Sequence, residues 1–126
     1  MAQTVGAFTT RIPSRGRVND VLKRGVDLST SAAMPTDAAN AVVFPFAAAS
    51  GAMIYVSASC TIKWYAAADE TSTVAALYDD ASTPVAIEQI PAGAGWYAVP
   101  AKVFAAPAIA PIATAGTPNF ILAIKR

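Results

Sequence analysis

The chain contains no histidine and a single cysteine, and each of these shortages excludes a class of chemistry. Without histidine, the commonest general base is missing, together with the Ser-His and Cys-His nucleophile pairs and the imidazole metal ligand. The lone Cys60 makes an intramolecular disulfide impossible and a cysteine-based metal site implausible. We interpret it as a buried core thiol. The sequence therefore predicts no catalytic residues, no metal site and no cofactor.

Long hydrophobic runs are also missing. The most apolar stretch, residues 41–56, is interrupted by Pro45 and by Ser50-Gly51, whereas a membrane-spanning helix needs about 20 apolar residues. Residues 1–15 become polar too soon for a signal peptide. We therefore expect no membrane segment, and synthesis in the cytosol.

Charge is scarce as well, since only 13% of the 126 residues are charged while 55% are hydrophobic. Ordinary soluble proteins have about a quarter of their residues charged. Alanine accounts for 30 residues without a helical repeat. Small residues in strands let sheets or subunits approach closely, although a compositional bias of the genome would explain the alanine equally well. With so little charge in a chain of one-domain length, much of the surface must be neutral or apolar, which predicts burial against neighbouring subunits.

The few charges are distributed unevenly along the chain. Residues 1–26 carry a net charge of +4 and residues 27–126 a net charge of −3. We predict an extended basic N-terminal arm over residues 1–34, with some helical spacing at residues 18–22, and a body over residues 35–126. Such an arm can dock onto an acidic partner surface, although it can also be a solvated tail, and nucleic-acid binding is the weaker alternative. The candidate partner-binding residues of the arm are Arg11, Arg15, Arg17, Lys23 and Arg24.

After the arm, the sequence is typical of short strands separated by turns. The predicted strands are residues 40–46, 51–58, 60–67, 71–79, 83–90, 95–100, 108–114 and 118–126. Their residues alternate between faces, as where Ile62 and Trp64 oppose Lys63. This spacing predicts an all-β fold, an antiparallel β-sandwich or jelly roll. One helical turn is expected at residues 100–104, which begin with proline.

Four carboxylates form two adjacent pairs, Asp69 with Glu70 and Asp79 with Asp80. If the strand between them pairs as a hairpin, both pairs could lie at one edge, where carboxylates can serve glycoside hydrolysis or bind Ca²⁺. Neighbouring side chains in a turn diverge, however, and Asp is favoured there because it bonds to the local backbone. We therefore favour a role in turns and keep a hydrolase as an alternative.

Aromatic residues occur as two adjacent pairs, Trp64 with Tyr65 and Trp96 with Tyr97. Core packing with one ring inside and one outside is the favoured interpretation. An exposed aromatic platform for sugars is the alternative. The candidate contacts to a neighbouring subunit or a glycan are Tyr65, Tyr78 and Tyr97.

Three segments, "IKWYAAADETSTVAALYDDASTPVAI", "GAGWYAVPAKVFAAPAI" and "FILAIKR", resemble in their order small virion proteins of tailed bacteriophages. In that family an aromatic strand, a "YD" turn, a "Y-x-x-P-x-x-x-F" segment and a last short strand recur, and the resemblance covers about residues 51–126. It implies a non-enzymatic capsid decoration or cement protein that is made in the host cytoplasm and binds the major capsid protein on the outside of the phage head. It also implies a homo-oligomer, a trimer in preference to a dimer, with no catalytic residues. The alternative function is a carbohydrate-binding β-sandwich module of a phage fibre or surface protein.

Overall fold

The computed structural model describes residues 3–13, 25–47, 49–79, 82–83 and 85–125. The strands among them are β1 (Thr4–Val5), β2 (Phe8–Pro13), β3 (Gly25–Ser29), β4 (Ala32–Ala33), β5 (Val42–Pro45), β6 (Gly51–Val56), β7 (Thr61–Ala67), β8 (Ala75–Ala76), β9 (Glu88–Gln89), β10 (Gly95–Ala98), β11 (Ala108–Ala115) and β12 (Asn119–Lys125). The same residues include two short 3₁₀ helices, Ala38–Asn40 and Ala101–Ala105. The predicted all-β class is confirmed.

The strands form two sheets that pack face to face. The first sheet has the order β1-β5-β11-β7-β8, and β9 also pairs with β7. The second sheet has the order β10-β6-β12-β3-β2, and β4 also pairs with β12. The described strand pairs are antiparallel, except that β1 runs parallel to β5. This arrangement confirms the predicted β-sandwich.

The main core lies between the sheets and consists of the inward residues of the alternating strands. Trp64 of the first sheet and Phe120 and Leu122 of the second are at most 1% exposed. Trp64 Nε1 donates to Gln89 Oε1 at 2.9 Å, so the buried indole N–H is satisfied. Gln89 Nε2 in turn donates to the Ala98 carbonyl at 2.7 Å. One amide side chain therefore joins the two sheets.

Two of the predicted strands are much shorter than expected. Residues 71–79 contain only β8, and β9 is the strand within residues 83–90, of which residue 84 is not described. Tyr78 and Ala86 form an isolated bridge between these segments. Apart from β8, β9 and this bridge, the described residues of the two segments belong to no strand.

The helical turn predicted at residues 100–104 is confirmed as the 3₁₀ helix Ala101–Ala105. Pro100 precedes this helix, and Val103 is completely buried beneath it. In the described part of the chain, no helix has the length and hydropathy that crossing a membrane requires.

The N-terminal segment differs most from its prediction, because its described parts are strands of the two sheets. β1 pairs with β5, β2 and β3 extend one edge of the second sheet, and β4 pairs with β12. The ring of Phe8 packs 5.4 Å from that of Phe44, measured between centroids. An extended arm separate from the body is therefore not confirmed. The helical spacing at residues 18–22 lies outside the described residues.

Candidate functional site

The outer face of the first sheet is buried by the chain itself. Val43, Ala110 and Ile112 point away from the main core, yet they are at most 2% exposed. The second apolar cluster on this face consists of Ala41, Val43, Ala67, Val74, Ala108, Ala110 and Ile112, with Ala38 and Tyr65 packed against it. Residues 35–41 and 68–74 supply the outer part of this cluster, and we call these two segments the cover.

Polar bonds hold the cover in place. The Pro35 carbonyl accepts a hydrogen bond from the Ala113 N–H at 2.8 Å. The side chain of Gln3 donates through Nε2 to the Ser72 carbonyl. Its Oε1 accepts from the Val74 N–H at 3.1 Å. One segment of the cover is thus bonded to β11, and the other to Gln3, the residue before β1.

The outer face of the second sheet has no such cover within the part of the chain that the structure describes. Strand register places its outward side chains in three rows. The first row is Trp96, Tyr55 and Ile121; the second is Ala98, Met53, Ala123, Leu28 and Thr10; the third is Gly51, Lys125, Val26 and Ile12. We call these residues the apolar face. Trp96 is 48% exposed, Met53 40% and Ile12 52%, so large apolar side chains on three strands meet solvent.

A ridge and a groove give the apolar face its shape. The rings of Trp96 and Tyr55 form the ridge, with centroids 5.5 Å apart and planes tilted by 54°. Toward the other end of the strands, a groove of about 450 Å³ is lined by outward residues that include Gly51, Ala98 and Ala123. Core-side residues, Phe104 and Ile124 among them, complete its lining. A Cβ at Gly51 would meet no atom within 4 Å, so the space above this residue is open.

The sequence singled out Trp96 but missed its neighbour Tyr55. The predicted pattern of one ring inside and one outside holds for the second aromatic pair, in which Tyr97 packs against the core and Trp96 is exposed. In the first pair Trp64 is fully buried, and Tyr65 on the opposite side of the strand is half-buried against the second cluster. Tyr55 alternates with the buried Ile54 along β6. That alternation is the signal that could have identified it as an outward aromatic residue.

The three predicted contact tyrosines lie in different surroundings. Tyr65 is half-buried against the cluster under the cover. Tyr97 is half-buried, and its hydroxyl donates to the Gly93 carbonyl at 2.8 Å. Tyr78 is 54% exposed. Contacts of these residues to a subunit or a glycan stay a prediction.

Asp69 forms a turn, as the sequence predicted. Asp69 Oδ1 accepts from the backbone N–H and hydroxyl of Thr71 and from the hydroxyl of Ser72, each at 2.9 Å. These bonds, the one from the Ser72 hydroxyl first, hold the pKa of Asp69 below its ordinary value of 3.8. Asp79 Oδ1 accepts from the Val85 N–H at 3.1 Å.

The two acidic turns are not brought to one edge. Asp69 precedes β8 and Asp79 follows it, so they lie at opposite ends of that strand. Asp80 is outside the described residues. Among the residues that are described, no three or more Cys, Asp or Glu side chains gather where they could hold a metal ion.

Of the predicted arm residues, Arg11 is the one in the described part of the chain. Its Nη1 donates to Asp27 Oδ1 at 2.7 Å, across the β2–β3 pair. This guanidinium therefore already has a partner within the fold. The other residues of this predicted set, Arg15, Arg17, Lys23 and Arg24, lie outside the described residues.

Cys60 is a buried thiol, as predicted, with 6% exposure. Burial raises the pKa of the thiol, because a thiolate is poorly solvated there. This environment disfavours the thiolate that nucleophilic chemistry requires.

No protein-family model matches the chain, and a search of curated proteins and of solved structures gives no significant match. Its function is therefore inferred from its own residues.

Proposed function

We propose that this chain is a non-enzymatic virion protein, a capsid decoration or cement protein that binds the outer surface of a phage head as a homo-oligomer. The observation that carries the proposal is the apolar face, which no other described residue covers and on which Trp96, Met53 and Ile12 are exposed. Exposed apolar surface of this extent, rich in aromatic residues and Met, is typical of protein contacts. The resemblance of residues 51–126 to small phage virion proteins supports the same role.

A cement protein needs a rigid body and repeated contacts with the shell, since weak contacts combine through multivalency. The sandwich, with its sheets joined through Gln89, supplies the body. The basic residues in the segment between β2 and β3 supply the contact to an acidic surface of the major capsid protein. Pro13 and Gly25, the residues that flank this segment, lie opposite each other in the register of the second sheet.

Binding to phage heads that lack the protein tests this proposal. Deletion of residues 1–26 is unsuitable, because it removes β1 and β2 from the two sheets. The better variant replaces the four basic residues between β2 and β3, Arg15, Arg17, Lys23 and Arg24, by Gln. We expect its occupancy on heads to fall strongly, and wild-type binding to weaken with added salt.

A control replaces Lys63 and Lys102 by Gln, which removes two positive charges elsewhere on the molecule, and it should bind like the wild type. The double variant Lys23→Gln with Arg24→Gln removes the same number of charges from the segment and should bind more weakly than this control. Unchanged occupancy of the four-residue variant would rule out docking through this segment. A wild-type chain that does not sediment with heads would rule out the function itself.

A carbohydrate-binding module is the second candidate, because Trp96 is exposed beside Tyr55 and sugar rings stack on such residues. The two rings are tilted by 54° and Tyr97 packs against the core, which is unfavourable for a flat platform. Binding on a glycan array that is lost in Trp96→Ala would favour this candidate. Absence of binding to every glycan tested would count against it.

A further inference from the structure

The ridge and the groove of the apolar face lie at opposite ends of the same strands. Tyr55 of the ridge and Gly51 of the groove are two outward positions apart on β6, with Met53 between them. Suppose that a second copy is placed on this face by a twofold axis that lies in the interface and is perpendicular to the strands. The first row of each copy then faces the third row of the other. Under that operation Tyr55 of one copy meets the open space above Gly51 of the other, and the row of Met53 meets itself. The face is therefore complementary in shape to a second copy.

The charge pattern also fits a second copy. Lys125 is the single charged residue in the three rows, and the twofold operation places it opposite the first row, near Ile121, rather than opposite its own copy. Charges such as Lys63, Asp69 and Glu88 belong to the first sheet and its loops. A strongly acidic or basic partner would find little complement on this face, whereas two nearly neutral faces bring no like charges together.

The apolar face has the size of a reversible contact. Strands lie about 4.8 Å apart and outward residues about 6.7 Å apart along each strand, so the twelve residues of the three rows cover about 390 Å². Two apposed copies would therefore bury about 800 Å² in total, which is the size of a weak, concentration-dependent interface.

We infer that the apolar face binds a second copy of this chain, with Trp96 and Tyr55 of each copy packed against the groove of the other. The inference rests on the proposed function, in which the chain acts as a homo-oligomer, and deepens it by naming the surface and its twofold symmetry. Such a contact produces a dimer, whereas the resemblance to phage virion proteins implied a trimer in preference.

Sedimentation equilibrium of the full chain over a range of concentrations tests this contact. The mass should approach twice the 12.9 kDa of one chain. Met53→Glu places a carboxylate in the middle row, where it would face its own copy across the twofold axis. We expect the dissociation constant of the dimer to rise more than about tenfold. Ile90→Glu is the matched control, because Ile90 is 74% exposed and lies outside the apolar face, and it should leave the mass unchanged.

Trp96→Ala gives a second test that adds no charge, because it removes half of the ridge and should also weaken the dimer. Circular dichroism shows whether each variant is folded. If Met53→Glu is unfolded, the dimerisation of Trp96→Ala becomes the deciding measurement. A wild-type chain that stays monomeric at its highest soluble concentration, or that forms a trimer, would overturn the inference. So would a folded Met53→Glu chain that dimerises like the wild type.

Head binding separates this inference from the proposed function. A chain that occupies phage heads but stays monomeric in solution disproves the dimer contact alone. A dimer that depends on Met53 and Trp96 but never binds heads disproves the decoration role alone.

Discussion

The outer faces of the two sheets are both mainly apolar, but one is buried and the other is exposed. Ala110 and Ile112 of the first sheet are at most 2% exposed beneath the cover. Trp96 and Met53 of the second are 48% and 40% exposed. The chain thus supplies a covering layer for one apolar face and, within the described residues, none for the other.

Side-chain size accounts for much of this difference. Ala108 and Ala110 are small, so backbone of the cover can approach β11 closely enough to leave both with no exposed surface. The second sheet instead has an uneven outer surface, because the large side chains of Trp96, Tyr55 and Met53 project beside the groove. A layer of the same chain covers the first kind of face well, whereas the second kind suits the partner of matching shape proposed above.

A carboxylate placed on each face should give the largest contrast between them. Ala110→Asp buries a charge at a position with no exposed surface, which we expect to cost about 3–5 kcal/mol and to prevent stable folding. Ala98→Asp makes the same change at an exposed position of the apolar face. Its expected cost is below about 0.5 kcal/mol when the chain is dilute. Urea unfolding of both variants measures the difference.

Two outcomes would contradict this contrast. Similar large losses in both variants would mean that the apolar face is buried within a single chain. Similar small losses would mean that the cover opens at little cost and exposes Ala110 to water.

The sequence located the strands that have one buried and one less buried face. β7 and β12 alternate in this way, so their period of two identified Trp64 and Phe120 as core residues. The sequence of β2 resembles a tail, because an edge strand has one neighbour and exposed, mostly polar residues; the prediction of an arm there follows from this likeness. The cover could not be predicted from any local pattern, since its bond from Gln3 to Ser72 spans 69 positions of the chain.

The sequence predicts that the protein has an exposed apolar surface, but it does not predict which strands form that surface. The low charge predicted an apolar surface, yet alanine occurs under the cover, in the core and on the apolar face alike. Alternation shows that Trp96 and Tyr97 point in opposite directions. It does not show which one is outward, because that depends on which side of β10 meets the first sheet.

Loss of the Gln3 side chain tests how the cover is held. Gln3→Ala removes the bonds to the Ser72 carbonyl and the Val74 N–H, and we expect a loss of about 1–2 kcal/mol in the free energy of unfolding. Limited proteolysis should also become faster within residues 68–74. Ser50→Ala is the control, because it removes an exposed bond to the Lys125 carbonyl beside the apolar face and should cost less than about 0.5 kcal/mol. Equal losses in the two variants would show that Gln3 does not fasten the cover.

Lowering the pH should destabilise the cover more than the apolar face. Asp69 lies in the cover, and its pKa is lowered by hydrogen bonds from the hydroxyl of Ser72 and from Thr71. A lowered folded-state pKa means that the carboxylate stabilises the fold above pH 3.8 and that this stabilisation is lost as the pH falls through the folded-state value. Asp69→Asn should therefore melt at a slightly lower temperature than the wild type at neutral pH, and the difference should disappear in acid. Glu70→Gln removes a charge from the same turn and should keep the wild-type pH dependence. A melting difference for Asp69→Asn that stays constant down to the lowest pH would show that the Asp69 charge does not stabilise the cover.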